Sequence, residues 1–416
     1  MIRALLSVLL CSVYAFAQSP LPNDVLGTRP GAFSPRSLAL GHTYLTNQTG
    51  PAALMGNPAT LADQSTEWIW GLSADLSRVK ETRSYPFYDA FNGVLGYNNY
   101  ALNDHVYSKL DGGAAWKLPM KSVESFVVSL GSYSAYQFDY TYHEEVRNRF
   151  TSGGIQDRVL GNNIYENEGD LRAWSLGAAS SQGRTSIGFS VSMLTGEWSH
   201  RSGVYYASPD SANMETRADY SLESSPAEVN FGGAYDLNER VRFAARALFP
   251  TGKLKYEADV ESMIGDSLFE STAKSTVKYP SHIALGVQYR PQNDYRPFLY
   301  LEGEIHTYAD VQEDYDNVFE IRAGAEQQII PGTPARIGLV YANSPSDKDR
   351  ASTLFTAGIG FQLQKMHADF GMELGEMNYT SPDVFPQSLY GEADRIDSDR
   401  VETALFRGMI SLSWEL

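Results

Sequence analysis

Cysteine is nearly absent from these 416 residues; the single copy is Cys11. It lies in an apolar run, Ala4 to Phe16, that follows Arg3 and ends in Ala15-Phe16-Ala17. A short positive region, an apolar run and an A-x-A ending read as a cleaved signal peptide over 1–17, with Gln18 as the mature N-terminus. The run is too short for a spanning helix, which needs about 20 apolar residues. Leu10 stands where a lipid-attachment site wants a small residue, so Cys11 is not read as a lipoprotein cysteine. The mature chain is thus expected to have no disulfide, no thiolate nucleophile and no cysteine metal site.

Basic residues are in deficit. Lys and Arg number 33 against 50 Asp and Glu, a net charge of −17 that becomes −18 when Arg3 leaves with the leader. Phosphate backbones are bound by basic patches, so nucleic acid is excluded as a partner. Long apolar runs are missing too: nothing after residue 17 approaches eighteen in a row, which excludes spanning helices. G-x-S-x-G and H-E-x-x-H are absent, and His143-Glu144-Glu145 leads to Arg147 where a second zinc histidine would stand. The seven histidines, at 42, 105, 143, 200, 282, 306 and 367, show no ligand spacing. No enzyme, catalytic residue, metal or cofactor is expected.

Aromatic residues, by contrast, are plentiful: 26 Tyr, 19 Phe and 6 Trp. Tyr and Trp suit a membrane interface, where one end of the ring is apolar and the other wet. From Trp68 onward the apolar period is two, as in Trp68, Trp70, Leu72, Ala74, Leu76 and again in Ile187, Phe189, Val191, Met193. Further copies are Val241–Phe243–Ala245–Ala247–Phe249, Ile283–Leu285–Val287–Tyr289, Phe355–Ala357–Ile359–Phe361–Leu363 and Met366–Ala368–Phe370–Met372–Leu374. Successive strand side chains face opposite ways, so each segment has one apolar face and one polar or small face. Such alternation can carry a membrane protein while mean hydropathy stays low.

The count comes to about fourteen strands, near 67–80, 108–118, 123–140, 170–180, 184–198, 226–236, 238–250, 279–291, 296–309, 317–329, 335–343, 352–364, 366–378 and 402–416. Short turns, among them 181–183, 236–239, 291–295 and 331–334, alternate with linkers at 81–107, 141–169, 199–225, 251–278, 310–316, 344–351 and 379–401. Strict short–long alternation predicts an all-β, 14-stranded antiparallel transmembrane β-barrel over 67–416, with its turns on the periplasmic side and its loops outside. The chain ends on Phe406, Gly408, Ile410, Leu412, Trp414 and Leu416 at every second position. These residues resemble the terminal signal read by the outer-membrane barrel assembly machinery, although Leu416 stands where an aromatic is usual.

Residues 18–66 lack the barrel pattern. They carry Ser37-Leu38-Ala39-Leu40-Gly41, then Asn57-Pro58-Ala59-Thr60-Leu61-Ala62 just before the first strand. This pair, ahead of fourteen strands, resembles the FadL/TodX superfamily, which includes transporters of long-chain fatty acids and aromatic hydrocarbons and also PorV-type secretion proteins. The resemblance implies an N-terminal luminal hatch over 18–66, in which Leu54, Met55, Asn57 and Pro58 would meet or gate an apolar ligand. Pro58 holds Asn57 extended, and the Asn side chain can satisfy nearby backbone groups.

In strand 123–140 small residues around Gly131 and Ser132 interrupt the apolar row; a glycine inside a strand often marks a bend. Superfamily members release apolar substrates through a kink in their third strand, so Gly131 and Ser132 are the expected kink. With apolar residues facing lipid, Arg242, Arg246, Arg290, Glu302, Glu304, His306, Glu320 and Arg322 fall on inward faces. Such a row could suggest acid–base catalysis, but facing opposite charges more simply brace a narrow lumen. The expected function is hatch-gated outer-membrane uptake of hydrophobic compounds such as long-chain fatty acids, with lateral release. The alternative is a PorV-like component of a type IX secretion system that docks secreted partners. The expected partners are outer-membrane lipids, an apolar small molecule and the assembly machinery, with secretion-system components under the alternative.

Overall fold

The structure, a computed structural model, describes residues 26–91, 93–147, 159–292, 297–345, 351–391 and 397–416. The expected leader and residues 18–25 lie outside them. Among the described residues, eighteen strand segments follow in order. They are β1 (Trp68–Tyr88), β2 (Val94–Lys117), β3 (Ser125–Gln137), β4 (Tyr140–Arg147), β5 (Val159–Gln182) and β6 (Thr185–Tyr206). Next come β7 (Met214–Ser224), β8 (Ala227–Asn238), β9 (Val241–Pro250), β10 (Lys253–Ile264), β11 (Ser267–Lys278) and β12 (His282–Tyr289). The last six are β13 (Phe298–His306), β14 (Val318–Ile330), β15 (Thr333–Asn343), β16 (Ala351–Leu363), β17 (Met366–Ser381) and β18 (Asp399–Glu415).

These segments make fourteen staves, because β3 with β4, β7 with β8, β9 with β10, and β11 with β12 each form one stave in two pieces. The breaks fall where the ladder is hardest to continue, at Ser225-Pro226, Thr251-Gly252 and Tyr279-Pro280-Ser281. Proline has no N–H to donate to a neighbouring strand. β18 ladders with β17 on one side and β1 on the other, so the sheet closes on itself and the barrel is antiparallel. In the seam Trp70 opposes Trp414 and Leu72 opposes Leu412, while Leu416 N donates to Trp68 O at 2.9 Å.

Outside, the staves present an unbroken apolar belt. Trp70, Leu72, Ile187, Phe189, Leu285, Ile337, Phe355, Leu412 and Trp414 are all exposed on it. Water would make so large a contiguous apolar surface very unfavourable; the hydrocarbon of a membrane removes that cost. Fourteen strands in alternation are what the sequence predicts. Four of the expected linkers are different: 81–107, 199–225, 251–278 and the described residues of 141–169 are mostly strand, rising beyond the belt at the end opposite the short turns. There no outward apolar row marks them; the short row Leu254–Tyr256–Ala258 of β10 alternates on a buried face instead. β6, β7, β10 and β11 form a wing of this kind, and among the described residues β11 ladders with β10 alone.

Residues 26–66 lie inside the ring, packed against the inward faces of β1–β3, β5, β6, β8 and β15–β18. They hold one short helix, α1 (Pro35–Ala39), and two 3₁₀ turns, Gly50–Leu54 and Pro58–Asp63. Ser34 caps α1 by accepting from Ser37 N, and the Asn57 side chain accepts from Ala59 N at 3.1 Å. Inward glycines seat this segment. A Cβ at Gly338 would lie 2.0 Å from Gly41 N, and one at Gly371 would lie 2.3 Å from Pro35 O. The small face read from the sequence is thus the floor on which the luminal segment rests.

Candidate functional site

The wall is incomplete at one place. β2 ladders with β3 only from Gly112 to Lys117, opposite Ser132 to Val127. Above that, among the described residues, β2 ladders with β1 alone and β4 with β5 alone. The cause lies in β3. Ala135 is an extra residue, since Ser134 opposes Arg172 and Tyr136 already opposes Leu171; β3 then stops at Gln137. An extra residue bends its strand and takes it out of register with a neighbour. The freed edge of β3 is taken by the luminal segment: Thr28 and Gln137 exchange N–H···O bonds of 2.8 and 2.9 Å.

Side chains replace the missing ladder. Lys109 pairs with Asp139 at 2.7 Å, and Arg172 reaches from β5 to Leu110 O at 2.7 Å and Asp111 at 3.2 Å. Higher up, the Asn103 amide brackets His143, accepting from its N–H at 2.8 Å and donating to its carbonyl at 3.2 Å. Polar tethers of this kind hold an opening with fewer bonds than a strand ladder would supply.

The expected kink residues need correction. Gly131 sits in regular ladder with Gly113 on one side and Ser175 on the other. It serves to seat an aromatic ring, since a Cβ there would lie 2.5 Å from the Tyr133 side chain. Ser132 is the last β3 residue paired with β2 and accepts from Arg172 Nε at 3.2 Å, so it stands at the lip. The bend itself is at Ser134–Tyr136, beyond both.

Behind the break is an aromatic cluster. Leu26, Phe33, Met55, Tyr133, Tyr136, Phe138, Leu171 and Trp198 are buried in one cluster. Phe138 stacks on Trp198 with centroids 4.7 Å apart, and Phe33 meets Tyr133 edge-on. Its polar corner is Arg29, which donates to Glu228 at 3.0 Å and to the Tyr136 hydroxyl at 3.2 Å. A cavity of about 330 Å³ runs from Phe33 and Tyr133 past Pro51, Ile69 and Ser411 towards Arg336, Asp369 and Glu415 near the short turns. The luminal segment lines this cavity with Phe33, Arg36, Thr49 and Ala52.

The hatch residues singled out in the sequence meet on that segment. Leu54 packs with Ala115, Val127 and Ala179, while Met55 joins the aromatic cluster. Asn57 is fully buried; it caps the Pro58 turn and donates to Leu45 O at 2.7 Å. Leu54 O in turn accepts from Ser190 at 2.7 Å and from Asn230 at 3.0 Å.

The inward charges divide. Glu302, Glu304, His306, Glu320, Arg322 and Arg246 come together on β9 and β13–β14, with Arg322 2.6 Å from Glu304 and 2.7 Å from Glu320. Arg242 does not join them; it pairs with Asp63 at 2.8 Å near the short turns. Arg290 lies beyond the end of β12, over the Phe298 ring. Alternation gives a side chain's face but not its height in the barrel, which is why both were misplaced. Three members of the network were missed: Tyr44, whose hydroxyl donates to Glu304 at 2.8 Å, His282 on β12, and His42, which pairs with Glu373. The inward parity of His282 was available from Ile283 and Leu285; the two luminal residues had no periodic signal. The Glu302 carboxylate accepts from Tyr44 N at 3.0 Å and Leu45 N at 2.8 Å, so the network anchors the luminal segment.

No family model and no curated protein matches the sequence. Among solved structures, a Pseudomonas aeruginosa FadL homologue is similar with a TM-score of 0.64 and 12% identity, over 94% of this chain and 99% of that one. The Ralstonia pickettii toluene transporter TbuX and the P. putida toluene transporter TodX each give 0.61 at 15% identity, over 93% of this chain and 99% of theirs. The fold is that of the FadL-type channels.

Proposed function

We propose that this protein is an outer-membrane channel that takes up apolar small molecules, long-chain fatty acids or compounds like them. In this reading the luminal segment is the hatch, and release occurs sideways into the membrane. The observation that carries it is the stretch of β3 from Ser132 to Gln137: the β2–β3 ladder ends at Ser132, Tyr133 and Tyr136 join the aromatic cluster, and Thr28 pairs with the backbone of Gln137. An apolar molecule in the cavity would lie against Phe33 and Tyr133, gaining about 25 cal/mol for each Å² it removes from water. Loss of the Thr28–Gln137 pairing would open the same edge of β3 towards lipid. The solved relatives in fold include proteins described as toluene transporters, which favours an apolar cargo.

The test is uptake of a labelled long-chain fatty acid, and separately of toluene, in a host without its own transporter. The parent protein should raise uptake above the empty host. Ser132→Trp, which fills the lip from outside, should reduce it without reducing the amount of folded barrel. No uptake by the parent of either compound, together with lost secretion of sorting-domain cargo in its absence, would establish the PorV-like role instead.

A further inference from the structure

We infer that the upper lumen holds a binding site for one divalent first-row transition-metal ion, of the zinc type, formed by His282, Glu304 and His306 with Glu320 beside them. His282 opens β12 and lies opposite His306 in the β12–β13 register; Glu304 lies opposite Glu320 across β13 and β14. Three neighbouring strands thus deliver four inward side chains to one level of the barrel.

The spacing suits a small cation. His282 Nδ1 is 3.3 Å from Glu304 Oε1, and His306 Nε2 is 3.3 Å from Glu320 Oε2 and 4.0 Å from Glu304 Oε1. Donor atoms about 2.0–2.1 Å from a tetrahedral zinc stand about 3.3 Å apart. One donor atom from each of His282, Glu304 and His306 can be chosen so that all lie within 4.8 Å of one another. The two imidazole rings are 4.3 Å apart, close enough to face one ion.

Two further observations point to a ligand. His282 is 1% exposed, and its Nε2 makes no hydrogen bond, while the buried Nε2 of His306 has only the carboxylates of Glu320 and Glu304 beside it. A buried nitrogen without a partner is unfavourable, and such exceptions call for an explanation. The carboxylate is also divided between two tasks. Glu304 Oε2 is held by Arg322 at 2.6 Å and Tyr44 at 2.8 Å, while Oε1 faces the histidines, with Arg246 farther off at 3.5 Å. Partners on the far oxygen orient a metal-binding carboxylate and fix its geometry. Imidazole with carboxylate suits zinc, cobalt and nickel better than magnesium or calcium, which prefer all-oxygen sites. Arg322 and Arg246 keep the pair of carboxylates from being a bare negative pocket, so selectivity rests on the imidazoles. Bound metal would join β12, β13 and β14 next to Tyr44 of the luminal segment.

The experiment uses the full mature chain, purified in mild detergent without a histidine tag and treated with chelator. Co²⁺ is titrated by absorption spectroscopy and Zn²⁺ by calorimetry. One equivalent should bind, with Co²⁺ bands that Zn²⁺ displaces. His282→Ala and His306→Gln should each weaken binding more than about 10-fold, the least seen when only an outer partner of a site is lost. His143→Ala and His200→Ala, in the wing and its neighbours, should change nothing. Heat-modifiable migration checks that every variant is folded. A folded parent that binds neither ion stoichiometrically overturns the site, as does a folded His282→Ala/His306→Gln double variant that binds like the parent.

Discussion

Replacing Glu302 tests whether the luminal segment is held by a few identifiable bonds. Glu302 is 2% exposed, and one of its carboxylate oxygens accepts from both Tyr44 N and Leu45 N. A hydrogen bond to a charged group contributes about 1.5–3 kcal/mol and a neutral one about 0.5–1.5. Glu302→Gln keeps an acceptor but loses the charge, so two bonds weaken by about 1–1.5 kcal/mol each. The displaced state of the segment should gain about 2–3 kcal/mol, or about 30- to 150-fold in population. Glu302→Ala leaves two buried amides without any acceptor, at about 1–3 kcal/mol each. Hydrogen exchange read by mass spectrometry on peptides covering 38–48 gives the number directly, since protection there should fall by the same factor. Peptides from β14–β18 should keep theirs, because the ladder does not depend on Glu302. Unchanged protection of 38–48 in a folded Glu302→Ala barrel would refute this account of the anchor.

The closing strand gives a second expectation. Leu412→Arg puts a cation on the belt opposite Leu72 and should destabilise the barrel by about 2–4 kcal/mol at mid-membrane, less nearer an interface, seen as lower resistance to urea and reduced heat-modifiable migration. In the wing, Arg201 donates to Glu215 at 2.8 Å and holds its carboxyl below the ordinary range. A depressed carboxyl stabilises above its unfolded pKa of about 4.3 and loses that contribution as pH falls through the folded value. Limited proteolysis of the wing should therefore speed up between pH 5 and pH 3, and less so in Glu215→Gln. Finally, an epitope inserted at Gly265, the tip of the β10–β11 hairpin, should be labelled on intact cells, and one at Asn238 should not. Labelling at Asn238 alone would invert the barrel.

Alternation made the belt legible, because every stave must present apolar side chains to lipid at alternate positions. It made the inward row Glu302–Glu304–His306 legible for the same reason, by parity with Leu301 and Ile305. It stopped at the edge of the membrane. In β11 neither face carries an apolar row, and in β10 the short row Leu254–Tyr256–Ala258 lies on a buried face and not towards lipid, so both strands read as linker. It also gave no information along the barrel axis, so Arg242 and Arg290 were grouped with charges they never meet. Ala135 shows the limit most clearly: a single inserted residue decides where the wall breaks, and alanine carries no signal that it is the extra one. Tyr44 and His42 act through contacts with strands some 260 to 330 residues away in sequence, to Glu304 and Glu373.

Arg407, on the last strand, joins two structures, the seam and the luminal segment. It pairs with Asp75 across the seam at 2.6 Å and donates to Ala32 O of the luminal segment at 2.9 Å. The segment spans the ring, touching staves from β1 to β18, so its seat is complete only when the ring is. Its residues are made first and must wait until the end of synthesis for the strand that encloses them. Enclosure and sealing are then a single event, and Arg407 is the residue whose bonds register both. A chain that closed with the segment left outside would lack the acceptor at Ala32 and would bury a guanidinium with one partner fewer. Assembly so arranged inspects its own contents before it shuts.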